Sequence, residues 1–127
     1  MELKERLKKA KVLLEQLKDG WIFVEGKRDK EALAKLGLHN VLTISGNLRL
    51  SCERVRKQKG DVKVFVLTDL DRRGGQLAKM AKDELEGLSI TADLITRKML
   101  ARTLKIRYFE DAKRAYDELI EEGEKNG

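Results

Sequence analysis

Residues 62–71 read Val62-Lys63-Val64-Phe65-Val66-Leu67-Thr68-Asp69-Leu70-Asp71, and the chain continues as Arg72-Arg73-Gly74-Gly75. The apolar part is rich in β-branched residues and has the length of a strand. Asp69 and Asp71 follow where this strand ends, so both carboxylates can turn toward one divalent cation. Hard cations such as Mg²⁺ are commonly held by one or two carboxylates together with substrate phosphates. This stretch therefore predicts a strand that ends in a metal site.

A second acidic residue has the same setting near the N-terminus. Trp21-Ile22-Phe23-Val24 has strand composition, and Glu25-Gly26 ends it. If the first and third strands are neighbours in a parallel sheet, their carboxyl ends open into one crevice. We therefore expect Glu25 to lie beside Asp69 and Asp71.

The remaining periodicities predict helices that alternate with strands. Helices are expected at 3–17, 28–36, 48–58, 75–85, 97–104 and 111–122, and further strands at 41–44 and 89–95. In the fourth helix, the pattern places Leu77, Met80, Ala81 and Leu85 on the buried face. Such alternation predicts an α/β fold with an open parallel four-stranded sheet and helices on both faces. We predict the strand order 2-1-3-4, because this order brings Glu25 next to the two aspartates.

Length and composition exclude several classes of protein. A chain of 127 residues with 41% apolar residues forms one domain. The longest uncharged stretch, 37–48, is far shorter than the roughly 20 residues of a membrane span. No apolar segment of a signal peptide follows the charged N-terminus. The single cysteine, Cys52, has no disulfide partner, and no Cys/His cluster exists for zinc. We expect a cytoplasmic protein without membrane contact.

The charge is high and unevenly distributed. Charged residues make up 39% of the chain and proline is absent, which is typical of heat-adapted proteins. The net charge is +6, with five bases against one acid in Arg49–Lys59 and five bases without an acid in Leu94–Phe109. Each basic run alone is equally compatible with a solvated helix face. Beside a carboxylate set, the two runs favour a polyanionic partner.

The order of the two motifs resembles the Toprim domain of bacterial primases, topoisomerases, OLD-family nucleases and ribonucleases that mature ribosomal RNA. The resemblance covers about Gly20 to Ile95. It lies in Val24-Glu25-Gly26-Lys27-Arg28-Asp29 and in Leu67-Thr68-Asp69-Leu70-Asp71-Arg72-Arg73-Gly74, separated by about forty residues. Within that family the chain is most similar to small archaeal stand-alone Toprim proteins and to the primase and ribosomal-RNA maturase types.

The resemblance implies a Toprim-like domain at 20–96, preceded by an amphipathic helix at 1–19. Helices at 97–127 would pack on the same core. It also implies that Glu25 is a general acid/base or a metal ligand, and that Asp69 and Asp71 bind Mg²⁺, with Mn²⁺ as a substitute. Topoisomerases carry a third acidic residue two positions further on, where this chain has Arg73, so the number of ions, one or two, stays open.

Phosphodiester chemistry agrees with these residues. Attack on an anionic phosphodiester requires that its charge be neutralised, which carboxylate-held Mg²⁺ does as a Lewis acid. A glutamate with a raised pKa can transfer the proton. The first hypothesis is therefore Mg²⁺-dependent cleavage or transfer on RNA or DNA, with a small nuclease as the preferred form. The alternative is a non-catalytic, metal-dependent nucleic-acid-binding subunit of a larger complex. A protein partner and the oligomeric state are left open.

Several candidate residues also have structural interpretations. Glu25 could cap the following helix, and Asp69 and Asp71 could be a polar strand exit. The neighbouring bases Lys27, Arg28, Arg72 and Arg73 are candidates for phosphate contact or for a solvated surface. We expect His39, Cys52 and Trp21 to be structural. No P-loop is present, and the Asp-x-Asp lies too close to the end of the sequence for a haloacid-dehalogenase-type phosphatase.

Overall fold

The computed structural model describes residues 1–125. The helices are α1 (Leu3–Gln16), α2 (Lys27–Ala34), α3 (Leu48–Arg56), α4 (Arg72–Gly87), α5 (Ile95–Leu104) and α6 (Ala112–Lys125). The strands are β1 (Trp21–Val24), β2 (Val41–Thr43), β3 (Lys63–Val66) and β4 (Thr91–Asp93). Short 3-10 turns at Leu17–Asp19 and Phe109–Asp111 precede β1 and α6. Within residues 1–125, no helix is both long and apolar enough to cross a membrane.

The four strands form one parallel sheet in the order β2-β1-β3-β4, which confirms the predicted topology. In the two central pairings, Ile22 of β1 lies opposite Val41 of β2 and Phe65 of β3. On the outer side of β3, Lys63 lies opposite Thr91. The central position of β1 and β3 places their carboxyl ends side by side.

Helices cover both faces of the sheet, as predicted. Successive side chains of a strand point to opposite faces, so Ile22 and Val24 enter one core and Phe23 the other. The first core contains side chains of α1, α2, α5 and α6, and the second contains those of α3 and α4. Cys52 and Val55 are fully buried in the second core. Trp21 packs against the same core while remaining partly exposed.

Helix α4 differs from the prediction at its start and in one core residue. It begins at Arg72 rather than at residue 75, because the Asp71 side chain accepts a hydrogen bond from the Gly74 N–H and caps the helix. The inward placement of Met80 is wrong, since its side chain is 58% exposed. Ala81 and Leu85 are buried as predicted, and Leu77 packs partly buried against the same core. Ala78 joins them, so Ala78, Ala81 and Leu85 form the buried face. Their spacing of three and four residues is the helical period.

Strand β4 is shorter than the predicted 89–95, because local capping interactions bound it on both sides. Ser89 adopts a positive φ of 60° and its N–H donates to the Glu86 carbonyl, so it belongs to the end of α4. Asp93 accepts a hydrogen bond from the Thr96 N–H and thereby starts α5. Strand β4 also forms the edge of the sheet.

Candidate functional site

The carboxyl ends of β1 and β3 bring Glu25 and Asp69 into direct contact. Each residue follows its strand closely, and the two strands are neighbours in the sheet. The Asp69 N–H donates a hydrogen bond of 3.3 Å to Oε1 of Glu25. Glu25 and Asp69, which are more than forty residues apart in the sequence, thus lie side by side as predicted. We call Glu25, Asp69 and Asp71 the acidic site.

Asp69 is held by a segment that the sequence did not indicate. Its Oδ1 accepts a hydrogen bond of 2.9 Å from the Phe109 N–H. The adjacent Leu70 N–H donates to the Arg107 carbonyl at 2.7 Å. The turn after α5 therefore crosses the carboxyl edge of the sheet and fixes the loop that carries both aspartates. Because these bonds use backbone groups of residues 107–109, no side-chain pattern could have revealed them.

Asp71 has a structural role in addition to its place in the acidic site. Its Oδ1 accepts the Gly74 N–H at 2.7 Å, which satisfies one of the otherwise unpaired N–H groups at the start of α4. The turn is very tight: a Cβ on Gly74 would overlap the Asp69 carbonyl oxygen. Thr68 closes the same turn by donating its hydroxyl to the Gly74 carbonyl at 2.6 Å. Only one of the two Asp71 carboxylate oxygens is used by the cap.

A buried arginine lies beneath the acidic site. Arg97 is only 5% exposed. Its Nε donates to the Thr68 carbonyl and its Nη2 to the Asp69 carbonyl, both at 2.6 Å. Burial lowers the pKa of the Arg97 guanidinium, and the charges of Glu25, Asp69 and Asp71 oppose that effect. Arg97 belongs to a basic run that the sequence predicts to face solvent or a polyanion. For Arg97 this prediction is wrong, because its side chain is buried and bound to the backbone of the loop that carries Asp69.

Two further acids, Asp29 and Glu110, lie close to the acidic site. Asp29 is 7% exposed, and its Oδ2 accepts the Gly26 N–H at 3.0 Å. Burial raises the pKa of Asp29, and the charges of Asp69 and Glu110 raise it further. An acid three residues after Gly26, at a helix start, has the spacing of a capping box, which is the signal that could have identified Asp29.

The acids raise one another's pKa. Burial is the main reason that the pKa of Glu25 is raised, and the charges of Asp69, Asp71 and Asp29 add to it. Burial likewise raises the pKa of Asp69, and Asp71 and Glu110 act in the same direction. Backbone hydrogen bonds from Asp69 and Phe109 oppose these shifts for Glu25 and Asp69 respectively. A bound cation would relieve this repulsion, since it favours the charged form of each acid.

The residues of the acidic site fit a magnesium ion by their chemistry, although they do not form a closed cage. Within residues 1–125, no three His, Cys, Asp or Glu side chains are placed together so as to hold a metal ion. Mg²⁺ does not require such a cage, because it keeps several waters and commonly binds one or two carboxylates plus substrate phosphates. Asp69 and Asp71 each use Oδ1 in a backbone hydrogen bond. Their Oδ2 atoms are the candidate ligands.

The four predicted phosphate-contacting bases are all exposed near the acidic site. Arg28 approaches Glu110 at 3.9 Å, and Lys27 approaches Glu31 at 4.0 Å. Arg72 and Arg73 occupy the first turn of α4, next to its cap Asp71. Among the described residues they form no salt bridge. Arg72 and Arg73 are therefore the bases most available to a phosphate at this edge.

The basic run 49–59 lies on α3 and the residues just after it. Helix α3 packs in the same core as α4, and in the other core from α2, α5 and α6. Two of its arginines are already paired with acids, Arg56 with Glu53 at 2.8 Å and Arg49 with Glu84 at 3.6 Å. Cys52 is completely buried in α3, and burial raises the pKa of its thiol to about 11. It is therefore an unreactive core residue. His39 is exposed in the loop before β2.

Comparison with known proteins yields close relatives of uncharacterised function. The UPF0292 protein of Thermococcus onnurineus is 36% identical over 121 residues, which cover 91% of this chain and 90% of that protein. The UPF0292 protein of Methanocaldococcus jannaschii is 38% identical over 91 residues, or 66% of this chain and 70% of that protein. No family model matches the sequence. The archaeal, thermophilic origin of the relatives is consistent with the charge-rich composition.

A solved structure has the same fold. A putative protein from Aquifex aeolicus superimposes with a TM-score of 0.70 at 29% sequence identity, covering 82% of this chain and 94% of that one. This likeness supports the α/β fold with a parallel four-stranded sheet described above. Since relatives more than 30% identical match this chain over nearly its whole length and theirs, the chain belongs to the UPF0292 family.

Proposed function

We propose that this protein is a Toprim-type, Mg²⁺-dependent enzyme that cleaves or transfers phosphodiester bonds in nucleic acid, with RNA or DNA cleavage as the preferred form. The observation that carries the proposal is the contact between Glu25 and Asp69 at the carboxyl ends of neighbouring parallel strands. The motif order that resembles the Toprim domain and the 2-1-3-4 sheet support it. We place the enzyme in the cytoplasm.

The acidic site divides the work between its members. Asp69 and Asp71 would hold the ion through Oδ2, because Oδ1 of each residue already accepts a backbone hydrogen bond. When bound, Mg²⁺ supplies neutralisation of the non-bridging phosphate oxygens and orients the leaving group. Glu25 transfers the proton, since burial and the neighbouring acids raise its pKa, which is the direction that suits a carboxylic general acid or base. Arg72 and Arg73 contact the substrate phosphates.

A second candidate function is a metal-dependent nucleic-acid-binding subunit without catalysis. The observation that favours it is the absence, among residues 1–125, of three acidic or histidine side chains placed to hold an ion. A site with two carboxylates could bind one Mg²⁺ together with a phosphate and still lack the second ion of a two-metal nuclease. Turnover distinguishes the two functions.

Metal binding is tested by replacing both aspartates with asparagine. The Oδ1 of asparagine still accepts the hydrogen bonds from Phe109 and Gly74, so the loop and the α4 cap are preserved. We expect Asp69→Asn with Asp71→Asn to abolish Mn²⁺ binding in calorimetry, with an unchanged circular dichroism spectrum. Asp83→Asn, at an exposed carboxylate of α4, is the matched control and should bind as the wild type does. Unchanged Mn²⁺ binding in the double variant would refute the site.

Catalysis is tested with the same proteins and end-labelled RNA and DNA, in single-stranded and duplex form. Mg²⁺-dependent cleavage by the wild type that is lost in the Asp69→Asn, Asp71→Asn variant supports the enzyme. Metal binding and nucleic-acid binding without turnover of any of these substrates would favour the non-catalytic subunit.

A further inference from the structure

A groove of about 680 Å³ lies between α4 and α5, next to the acidic site. We call it the α4–α5 groove. One wall is formed by Ala78, Lys79 and Lys82 of α4, and the other by Ile95, Lys98 and Arg102 of α5. Gly75 and Arg97 line the groove as well. Neither the acidic site nor its neighbouring bases Arg72 and Arg73 belong to this lining.

The walls of the groove carry cations and no acids. Lys79 and Lys82 share one face of α4, and Lys98 and Arg102 share one face of α5, because residues three or four apart lie on the same side of a helix. All four side chains are exposed, and no lining residue is acidic. Within residues 1–125, Lys82 alone of the four forms a salt bridge, to Glu86 at 3.9 Å. Two positively charged walls, of whose four cations only Lys82 is paired within residues 1–125, fit a polyanion.

The groove also exposes apolar surface between its cations. Ile95 is 71% exposed, and Leu94 and Met99 contribute further apolar surface to the lining. A nucleic-acid duplex presents mainly phosphates and sugars at its outside, whereas a single strand also exposes the faces of its bases. Cationic walls around an apolar lining therefore match a single strand, whose binding sites combine phosphate contacts with platforms for the bases.

One residue connects the groove to the acidic site. Arg97 lines the groove and also donates to the carbonyls of Thr68 and Asp69. Gly75 follows directly on the turn that Asp71 caps. The groove thus extends to the first turn of α4, at the carboxyl edge of the sheet. A nucleic-acid strand bound along the groove would reach the acidic site there.

We infer that the α4–α5 groove binds single-stranded nucleic acid and leads it to the acidic site. The phosphates of the bound single strand contact Lys79, Lys82, Lys98 and Arg102, and the bases of that strand lie against Ile95. This inference rests on the proposed function and adds the form of the substrate and its path. No lining residue is aromatic, so the bases contact aliphatic side chains. The binding tolerates many sequences, because contacts with phosphates carry no sequence information.

The test compares charge reversal in the groove with the same reversal elsewhere. Lys98→Glu with Arg102→Glu removes one wall. Lys4→Glu with Lys8→Glu, at exposed positions of α1 outside the groove, changes the net charge equally. Binding of fluorescein-labelled single-stranded RNA and DNA, and of the corresponding duplexes, is followed by anisotropy at several salt concentrations, with EDTA and again with Mg²⁺. Circular dichroism verifies that each variant is folded.

We expect the groove variant to bind single strands about tenfold more weakly, with a salt slope smaller by roughly 0.7 for each lost phosphate contact. The α1 variant should bind almost as the wild type does. Equal weakening in both variants, or in neither, would overturn the inference, as would tighter binding of the duplexes. An Ile95→Ser variant should weaken the binding of single strands alone, and an unchanged affinity would overturn the assigned role of the base contact.

Cleavage assays keep this inference separate from the proposed function. If the wild type cleaves nucleic acid and the groove variant binds and cleaves as well as it does, the groove assignment is wrong and the function stands. If single strands bind through the groove and no substrate is cleaved, the enzyme proposal fails and the groove stands. With both correct, the groove variant raises KM and leaves kcat almost unchanged, because the acidic site is intact.

Discussion

At the scale of single residues, the three acids of the site differ in the backbone hydrogen bonds that their side chains accept. Asp69 and Asp71 accept hydrogen bonds from the Phe109 and Gly74 N–H groups, so each helps to hold the loop. Within residues 1–125, the backbone hydrogen bond that the Glu25 side chain accepts is the longer, 3.3 Å bond from the Asp69 N–H. Glu25 is thus the acid least bound by structure, which suits a group that has to exchange a proton.

This difference predicts the effect of Glu25→Gln. The amide oxygen still accepts the Asp69 N–H, so the fold and part of the Mn²⁺ affinity should remain. Turnover should fall by about 10²–10⁴, the usual contribution of a general acid or base. Initial rates on the best substrate and Mn²⁺ calorimetry measure the two effects. If Glu25→Gln, Asp69→Asn and Asp71→Asn all lose Mn²⁺ equally, Glu25 is a plain ligand.

Arg97 acts on the same loop from below. Its guanidinium satisfies two carbonyls of the turn that carries Asp69, in a position only 5% exposed. Arg97→Ala would leave those carbonyls without their charged donor. We expect it to lower the free energy of unfolding by roughly 2–4 kcal/mol in urea denaturation.

The neighbouring Lys98 provides the control for Arg97. It is exposed, and Lys98→Ala should change the stability by no more than about 0.5 kcal/mol. An Arg97→Ala protein as stable as Lys98→Ala would show that water replaces the guanidinium at little cost. The Arg97→Ala variant should also bind Mn²⁺ more weakly, because the loop that positions Asp69 is then less restrained.

At the scale of elements, the junction of β3 and α4 contains the glycine with the least room for a side chain among the described residues. Two consecutive glycines, Gly74 and Gly75, lie in the first turn of α4, but only Gly74 is required by its surroundings. A Cβ at Gly74 would overlap the Asp69 carbonyl oxygen, whereas a Cβ at Gly75 has no heavy atom within 4 Å. Neither glycine has a positive φ. The requirement for Gly74 is therefore one of space.

The glycine pair predicts substitutions of opposite sign. Gly74→Ala forces the Asp69 backbone away from α4 and should destabilise the protein by about 2 kcal/mol or more. Gly75→Ala adds a methyl group in open space and should stabilise α4 by up to about 1 kcal/mol, since alanine is the better helix former. Thermal and urea unfolding of the two variants measure the difference. Equal effects would mean that the turn adapts freely.

At the scale of the whole molecule, charge is separated along the chain and again in space. The acidic site lies at the carboxyl edge of the sheet, and Arg72 and Arg73 lie beside it on α4. The run 49–59 lies on α3, where two of its arginines are paired with acids. The net charge of +6 is therefore less informative than the position of its unpaired part.

This distribution predicts how salt affects binding. Contacts with phosphates release counterions, so the affinity for nucleic acid should fall linearly with the logarithm of the salt concentration. Replacing Arg72 and Arg73 with alanine should reduce the slope by about one unit per residue. Arg54→Ala with Lys57→Ala, at the C-terminal end of α3, is the control and should leave the slope almost unchanged. Binding that does not vary with salt, or none at low salt, would point to a protein partner.

The sequence by itself determined the class of the fold, the strand order and the meeting of Glu25 with Asp69. These three features can be predicted from local signals, because strand composition, helical period and carboxylates at strand ends each depend on residues close together in the sequence. In parallel α/β sheets the carboxyl ends of the strands share one edge, which converts these local signals into a prediction about space. The Toprim resemblance and the metal stay predictions.

Only the tertiary structure decided which residues hold the site in place. Arg97 and Lys98 are adjacent cations in the sequence, yet Arg97 is buried against the Asp69 loop and Lys98 is exposed. The rotation of α5 about its axis makes that distinction, and it depends on packing against α1, α6 and β3. The Phe109 N–H, the cap at Asp71 and the clearance at Gly74 likewise depend on backbone positions. Backbone groups are the same in every residue, so their pairing is fixed by the folded chain as a whole.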